Sequence, residues 1–220
     1  MTSKTKVMLP TVSTAEELIN SITHGLGALL GIGGTVVAIV WAVLYGDAFS
    51  VVSASIYGAM LIILYTMSTL YHALTHKGAK RVFRIFDHCS IFLLIAGTYT
   101  PYTLVSLRGP LGWTIFGIIW GMTALGVVFN AISIEKFKVF SAISYVVMGW
   151  LIIFAAKPMM EVLAPPAFLL LLLGGIAYTV GIVFFALKKI RFMHGIWHVF
   201  VLAGSVLHYF SILLYVLPTK

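Results

Sequence analysis

The sequence predicts an all-α fold: a polytopic membrane protein whose seven transmembrane helices form one bundle. Three observations carry that prediction. Of 220 residues, 61% are hydrophobic and only 9% are charged, which leaves too few polar groups to cover a water-soluble domain. The apolar residues fall into seven stretches, at 22–45, 51–74, 86–106, 112–130, 139–156, 167–187 and 195–217, each near the roughly 20 residues a helix needs to cross a bilayer. Most of the Lys and Arg residues sit in the segments on one side of those stretches, as expected of a chain threaded back and forth with its basic loops in the cytoplasm.

Taken in order, residues 1–21 form a short polar segment that includes the start of the first helix, and residues 22–217 form a single transmembrane domain. No stretch is left for a second domain. Thr14 with Glu17 three residues on has the spacing of a capping box, so the first helix is expected to begin before the membrane and to enter it near Ile22. The N-terminal segment lacks the basic start, short apolar core and small-residue cleavage site of a secretory signal, so no removal is expected. Gly27 with Gly31, and Gly117 with Gly121, have the small-xxx-small spacing that permits close helix contact. Pro101 lies inside the third stretch, where it removes a backbone donor and is expected to kink the helix.

Orientation follows from charge. Lys4, Lys6, Lys77, Lys80, Arg81, Arg84, Lys136, Lys138, Lys188, Lys189 and Arg191 fall on the N-terminal side of the membrane, against Arg108, Lys157 and Lys220 on the other. That distribution places the N-terminus in the cytoplasm and the C-terminus outside. The net charge of +8 therefore reads as topology and contact with anionic lipid headgroups, not as nucleic-acid binding. The single cysteine, Cys89, excludes an intramolecular disulfide framework and a thiolate-only metal site.

Ionisable residues inside a bilayer are costly enough that each is a functional candidate. His72 closes the second stretch, Asp87 and His88 open the third, His194 and His198 open the seventh, and His24 opens the first. With the orientation above, all six lie at the cytoplasmic end, at one membrane depth. His194 and His198 are one helical turn apart on the same face, a spacing suited to gripping one metal ion. Read alone, the pair also fits interfacial histidines hydrogen-bonded to neighbouring helices. His72 adds a third imidazole, and three histidines plus water form the open arrangement of catalytic zinc. Asp87 follows His72 across a short basic loop, where it could serve as the catalytic base beside the ion, cap the third helix, or pair with Arg84. His88 is turned about 100° from Asp87 around the helix, so the two are expected to point apart, with His88 in a supporting role. Ser68 precedes His72 by one turn. Glu17, Asn20 and His24 form a polar stripe along one face of the first helix. His208, ten residues beyond His198, lies about 15 Å further along the axis, too deep to join the same site directly.

These residues, in this order, resemble the hemolysin III family, the bacterial branch of the progestin and adipoQ receptor superfamily. The likeness rests on Glu17-Leu-Ile-Asn20-Ser-Ile-Thr-His24, on Ser68-Thr-Leu-Tyr-His72 with Phe86-Asp87-His88, and on His194-Gly-Ile-Trp-His198 with His208. The resemblance implies a seven-helix bundle in the bacterial cytoplasmic (inner) membrane, zinc held by His72, His194 and His198, and Asp87 beside the water at the metal. Asp87-His88 stands where the eukaryotic receptors have Asp-Tyr, and their long N-terminal domain is missing. The superfamily includes alkaline ceramidases, so the expected function is metal-dependent hydrolysis of a lipid amide or ester in membrane lipid homeostasis. A non-catalytic, receptor-like regulator with structural zinc uses the same residues. The family's name carries a third reading, a pore-forming hemolysin, against which stands the absence of a charged helix face suited to a water-filled pore.

Overall fold

The computed structural model describes residues 9–187 and 189–219; Lys4, Lys6, Lys188 and Lys220 of the charge distribution lie outside them. Among the described residues the chain is helical without strands, and seven helices are long and apolar enough to cross a membrane. α1 runs Thr14–Tyr45, α2 Ala48–Ala73, α3 Lys77–Pro101, α4 Pro110–Ile132, α5 Ile134–Trp150, α6 Ala156–Val162, α7 Pro165–Ala186 and α8 Met193–Ser211. α5 and α6, joined by a tight turn at Leu151–Ala155, make the fifth span, Ile134–Val162. The other expected stretches match single spans, whose starts lie two to nine residues earlier than the apolar part and whose ends fall within two residues of it.

The third span shows why. It starts at Lys77, well before the apolar stretch at 86, because His76 Nδ1 accepts the Ala79 N–H and caps a basic first turn. The span continues past Pro101 into a wide turn, Tyr102–Ser106, closed by the Leu107 N–H on the Tyr102 carbonyl. Pro101 brings no donor of its own, and this widening is how the helix absorbs it. Gly109, at φ 123, then reverses the chain in a conformation open to glycine, and Pro110 starts α4.

The expected capping box is present but one residue earlier. Ser13 is the N-cap: its Oγ accepts from Glu16 N, while Glu16 Oε2 accepts from Ser13 N and Oγ. Glu17 is thereby left free to turn inward.

Sequence neighbours pack side by side, and α8 returns to α1. Glycine supplies the close approach: Gly27 and Gly31 lie against Tyr65, Leu61 and Ile62 of α2, as their spacing predicts, and Gly58 lies against Thr35. Gly117 and Gly121 meet no neighbour within 4 Å, so there the same spacing carries no contact. α1 and α8 are joined along their whole length. Phe192 N–H donates to Glu16 Oε1 at 3.1 Å, Tyr209 Oη to the Gly34 carbonyl at 2.9 Å, and Thr219 N to the Tyr45 carbonyl at 2.9 Å. The fifth span is held more loosely; α5 barely meets α7.

Candidate metal centre

The bundle brings the end of α2, the start of α8 and the start of α1 to one point. His72, His194 and His198 form a group whose candidate ligand atoms all lie within 4.8 Å of one another, a set able to hold a metal ion. His72 and His198 are buried and His194 is partly covered. His194 Nε2 stands 3.3 Å from His72 Nε2, so the two rings face each other across a narrow gap.

The partners on the far side of each ring decide which nitrogen is free. His72 Nδ1 lies 2.6 Å from Glu17 Oε2; a carboxylate accepts, so Nδ1 carries the proton and Nε2 presents its lone pair. His198 Nδ1 lies 3.2 Å from the Asn20 carbonyl and 3.3 Å from Thr23 Oγ1, and Thr23 donates its own proton to the Ile19 and Asn20 carbonyls. His198 Nε2 is therefore also bare, and it is buried without any partner. His72 Nε2 can accept from a neutral His194 Nε2–H, but His198 Nε2 has no donor, and a bare buried acceptor is costly unless a cation or a donor fills the space beside it. Carboxylate or carbonyl on Nδ1 with the metal on Nε2 is the usual arrangement around a metal-bound histidine. The donor set fits a metal ion.

The stripe on α1 thus reaches the site at every expected position. Glu17 orients His72 and is itself bridged by Lys80 Nζ at 2.7 Å. Lys80 also lies 3.4 Å from the His72 and Leu74 carbonyls, and so closes the C-terminus of α2 while holding the carboxylate. Asn20, 1% exposed, supplies its carbonyl to His198, with its amide 3.5 Å from His72 Nδ1. His24 stacks on His198 with ring centres 3.5 Å apart and meets Tyr65 edge-on. Both of its nitrogens are buried without partners.

α8 is aimed by an unusual residue. Phe192, immediately before the helix, sits at φ 66, a left-handed conformation that costs a bulky side chain on the order of 1–3 kcal/mol. Its N–H bond to Glu16 holds it there, so the same cap that starts α1 sets the direction in which His194 enters the site.

Asp87 lies well inside α3 and is 7% exposed; it cannot be the helix cap. Arg84, the other alternative partner, reaches Glu135 at 2.6 Å. Ser68 is buried near the Asp87 carboxylate without reaching hydrogen-bonding geometry. The expectation that Asp87 and His88 point apart is only partly met. His88 Nδ1 donates to the Arg84 carbonyl at 3.0 Å yet stands 3.5 Å from Asp87 Oδ2, and both residues line one cavity.

That cavity, about 660 Å³, has no sequence signature. It takes in His72, His194 and Asp87 at one end and runs between α3, α5, α7 and α8 along Ile91, Leu94, Ile95, Val146 and Val201. His208 lines its far part, with Nε2 3.1 Å from the Leu171 carbonyl; it does not join the histidine trio, as its depth implied. Thr23, Lys80 and Tyr71 are site residues the sequence did not point to. Tyr71 stacks beside His72 at 4.6 Å and lies under Lys80.

Comparison with known proteins places the chain in a family. A family profile described as Haemolysin-III related matches residues 12–209. The chain is 48% identical over 204 residues to "Hemolysin-3" of Bacillus cereus, covering 93% of each protein. It is 47% identical over 200 residues to "Hemolysin-3 homolog" of Bacillus subtilis (strain 168), covering 91% of this chain and 94% of that one. The human "Monocyte to macrophage differentiation factor" is 31% identical over 172 residues, covering 76% of this chain and 71% of its own length. With seven spans, the histidine trio and a profile match across nearly its whole length, the chain belongs to the haemolysin III family, within the progestin and adipoQ receptor superfamily, and is a multi-pass membrane protein.

Proposed function

We propose that this protein binds zinc through His72, His194 and His198 and hydrolyses an amide or ester bond of a membrane lipid. It would act in membrane lipid homeostasis from the bacterial cytoplasmic membrane, with the N-terminus and the histidine cluster on the cytoplasmic side. The observation that carries the reading is the meeting of two unlike features: three converging imidazoles, and a largely apolar cavity of about 660 Å³ that also takes in Asp87. Its volume is in the range of small-molecule sites, and its walls suit an acyl chain.

Imidazoles favour zinc and other transition metals over magnesium or calcium, and the family resemblance selects zinc. When bound, zinc polarises a carbonyl and makes water acidic enough to attack at neutral pH. The chain's own residues do the rest. Glu17 and the Asn20 carbonyl fix the tautomers of His72 and His198. The Asp87 carboxylate takes the proton released as water adds to the lipid carbonyl and returns it to the leaving nitrogen or oxygen. One water is thus divided between a carboxylic acid and an amine or alcohol. The apolar lining holds the chain and excludes bulk water. The sparse contact between α5 and α7, both of which line the cavity, gives a lipid a lateral path from the bilayer.

The test is lipid mass spectrometry on vesicles carrying the purified protein, with and without chelator, beside metal analysis. About one zinc per chain is expected, with lipid cleavage that stops on chelation. Stoichiometric zinc surviving in a combined His72→Ala, His194→Ala and His198→Ala variant would sink the metal assignment. Zinc without lipid turnover would favour a receptor-like regulator with structural zinc. Vesicle lysis independent of metal would favour a pore-forming hemolysin.

A further inference from the structure

The cavity that reaches the histidine trio begins at a basic rim. On α3 its lining follows one side of the helix through Arg84, His88, Ile91 and Ile95, and on α5 it follows Lys138, Ala142 and Tyr145. Both sets keep the spacing of residues that share a helix face. The first member of each is a cation, and the α3 stripe turns apolar within two turns.

Arg84 and Lys138 come together at one place. Arg84 Nη1 reaches Glu135 Oε1 at 2.6 Å, and Glu135 precedes Lys138 by three residues on α5, which makes the two neighbours on the helix surface. One carboxylate cannot neutralise both cations. A guanidinium carries five N–H donors, and among the described residues no acidic group lies within ion-pair distance of the exposed Lys138. The acidic residues of the lining are turned to other partners: Glu16 to Ser13 and the Phe192 N–H, and Asp87 toward His88. The cavity thus has a surplus of positive charge at its rim and apolar walls behind it, a shape and polarity that fit an amphiphile with an anionic head.

We infer that Arg84 and Lys138 bind the phosphate of a lipid headgroup, so that the lipid taken up is a phospholipid. In such a lipid only a few bonds separate the phosphorus from the carbonyl of an acyl chain, roughly the 5 Å pitch of one helical turn. Arg84 stands one turn before His88 and three residues before Asp87 on α3. A phosphate held at the rim therefore sets the first carbonyl level with Asp87 and lays the chain along Ile91 and Ile95. The inference rests on the proposed function for the bond that is cut.

The probes are two ether-linked lipids with identical chains, a dialkylglycerol phosphate and the corresponding dialkylglycerol. Neither has an ester or amide to cut, so binding is read apart from turnover. Each is titrated into the full-length protein in a neutral maltoside detergent, and bound lipid is counted by native mass spectrometry. The phosphate lipid should bind about tenfold more tightly, the scale of one charge-assisted hydrogen bond. Lys138→Gln should cut that ratio about threefold, and Arg84→Gln at least as much. Lys136→Gln removes an exposed cation that lies outside the cavity lining and should leave the ratio unchanged. If Arg84→Gln fails to fold, the two lysine variants decide. Equal losses in Lys136→Gln and Lys138→Gln, or a ratio that survives Lys138→Gln, overturn the site in favour of a general attraction to the basic face. Inorganic phosphate in large excess should not displace the lipid; displacement at the lipid's own concentration would mean that the rim takes the free ion, which also overturns the headgroup assignment. Equal binding of the two lipids by the unaltered protein overturns it and leaves the hydrolase reading standing. If neither lipid binds, the cavity is not a lipid site and both readings fall together.

Discussion

The two sides of the bundle are built to different tolerances. Where α1, α2 and α8 meet, backbones approach through Gly27, Gly31 and Gly58, and ring packs on ring from Tyr65 through His24 to His198. Around α5 the packing is sparse, and the helix is interrupted at Leu151–Ala155. On the proposed function, the difference matches two demands of the site. Metal ligands must be held within about half an ångström of their places, and they come from the tight side. A lipid chain, as proposed, would need room, and α5 and α7, which line the cavity, meet only sparsely.

The comparison can be broken most directly at the tight side. His194→Ala should abolish stoichiometric metal and metal-dependent turnover together, and lower the melting temperature measured in detergent. The stability lost is what the bound ion contributes, about 2.7 kcal/mol at a free metal concentration a hundred times its Kd. Asp87→Asn should separate rate from structure: metal content and melting temperature stay near those of the unaltered protein, while lipid hydrolysis falls by about 10²-fold or more. Loss of zinc in Asp87→Asn as complete as in His194→Ala would make Asp87 a ligand and not a base.

Smaller changes test packing itself. A methyl added at Gly27 meets the buried Tyr65 ring at under 3 Å, whereas one added at Gly121 meets nothing within 4 Å. Gly27→Ala should therefore destabilise by about 1–3 kcal/mol, and Gly121→Ala should change stability by less than about 0.5 kcal/mol. Equal melting temperatures for the two variants would erase the contrast between the sides.

The smallest effect lies at the opposite end of the bundle, where Asp47 caps α2 between the first two spans and also pairs with Arg108. The Arg108 hydrogen bond holds the Asp47 carboxyl below its ordinary value. A depressed carboxylate stabilises the fold at pH above its unfolded pKa, about 3.9, and that contribution disappears as pH falls through the lower folded value. The difference in melting temperature between the unaltered protein and Asp47→Asn should thus be constant near neutrality and shrink below about pH 4. A difference that grows on acidification would reverse the sign.

Most of the fold was legible because lipid imposes it: seven apolar lengths leave few alternatives. The trio was legible because depth can be read from position along a span, and His72, His194 and His198 share a depth. The box at the start of α1 was read one residue late because Ser13-x-x-Glu16 and Thr14-x-x-Glu17 both satisfy the pattern. What chooses between them is tertiary, since Glu17 is needed by His72 and Lys80. Lys80 and Thr23 escaped notice for the same reason. A basic loop residue and a threonine bonded to its own helix look ordinary until α2 and α8 arrive beside them. The cavity has no local pattern at all; it is the space left by helices that do not quite touch.

The bonds between α1 and α8 have a consequence for biogenesis. The groups that orient the histidines lie at residues 17–24, one histidine at 72, and the other two at 194–198, so the cluster closes only when α8 comes back against α1. Before α8 is made, α1 and α2 supply only one of the three clustered imidazoles, His72. If the trio binds metal as proposed, capture of the ion requires α8, and a chain stalled before residue 194 would be distinguishable from one that has passed it by the ion it fails to hold.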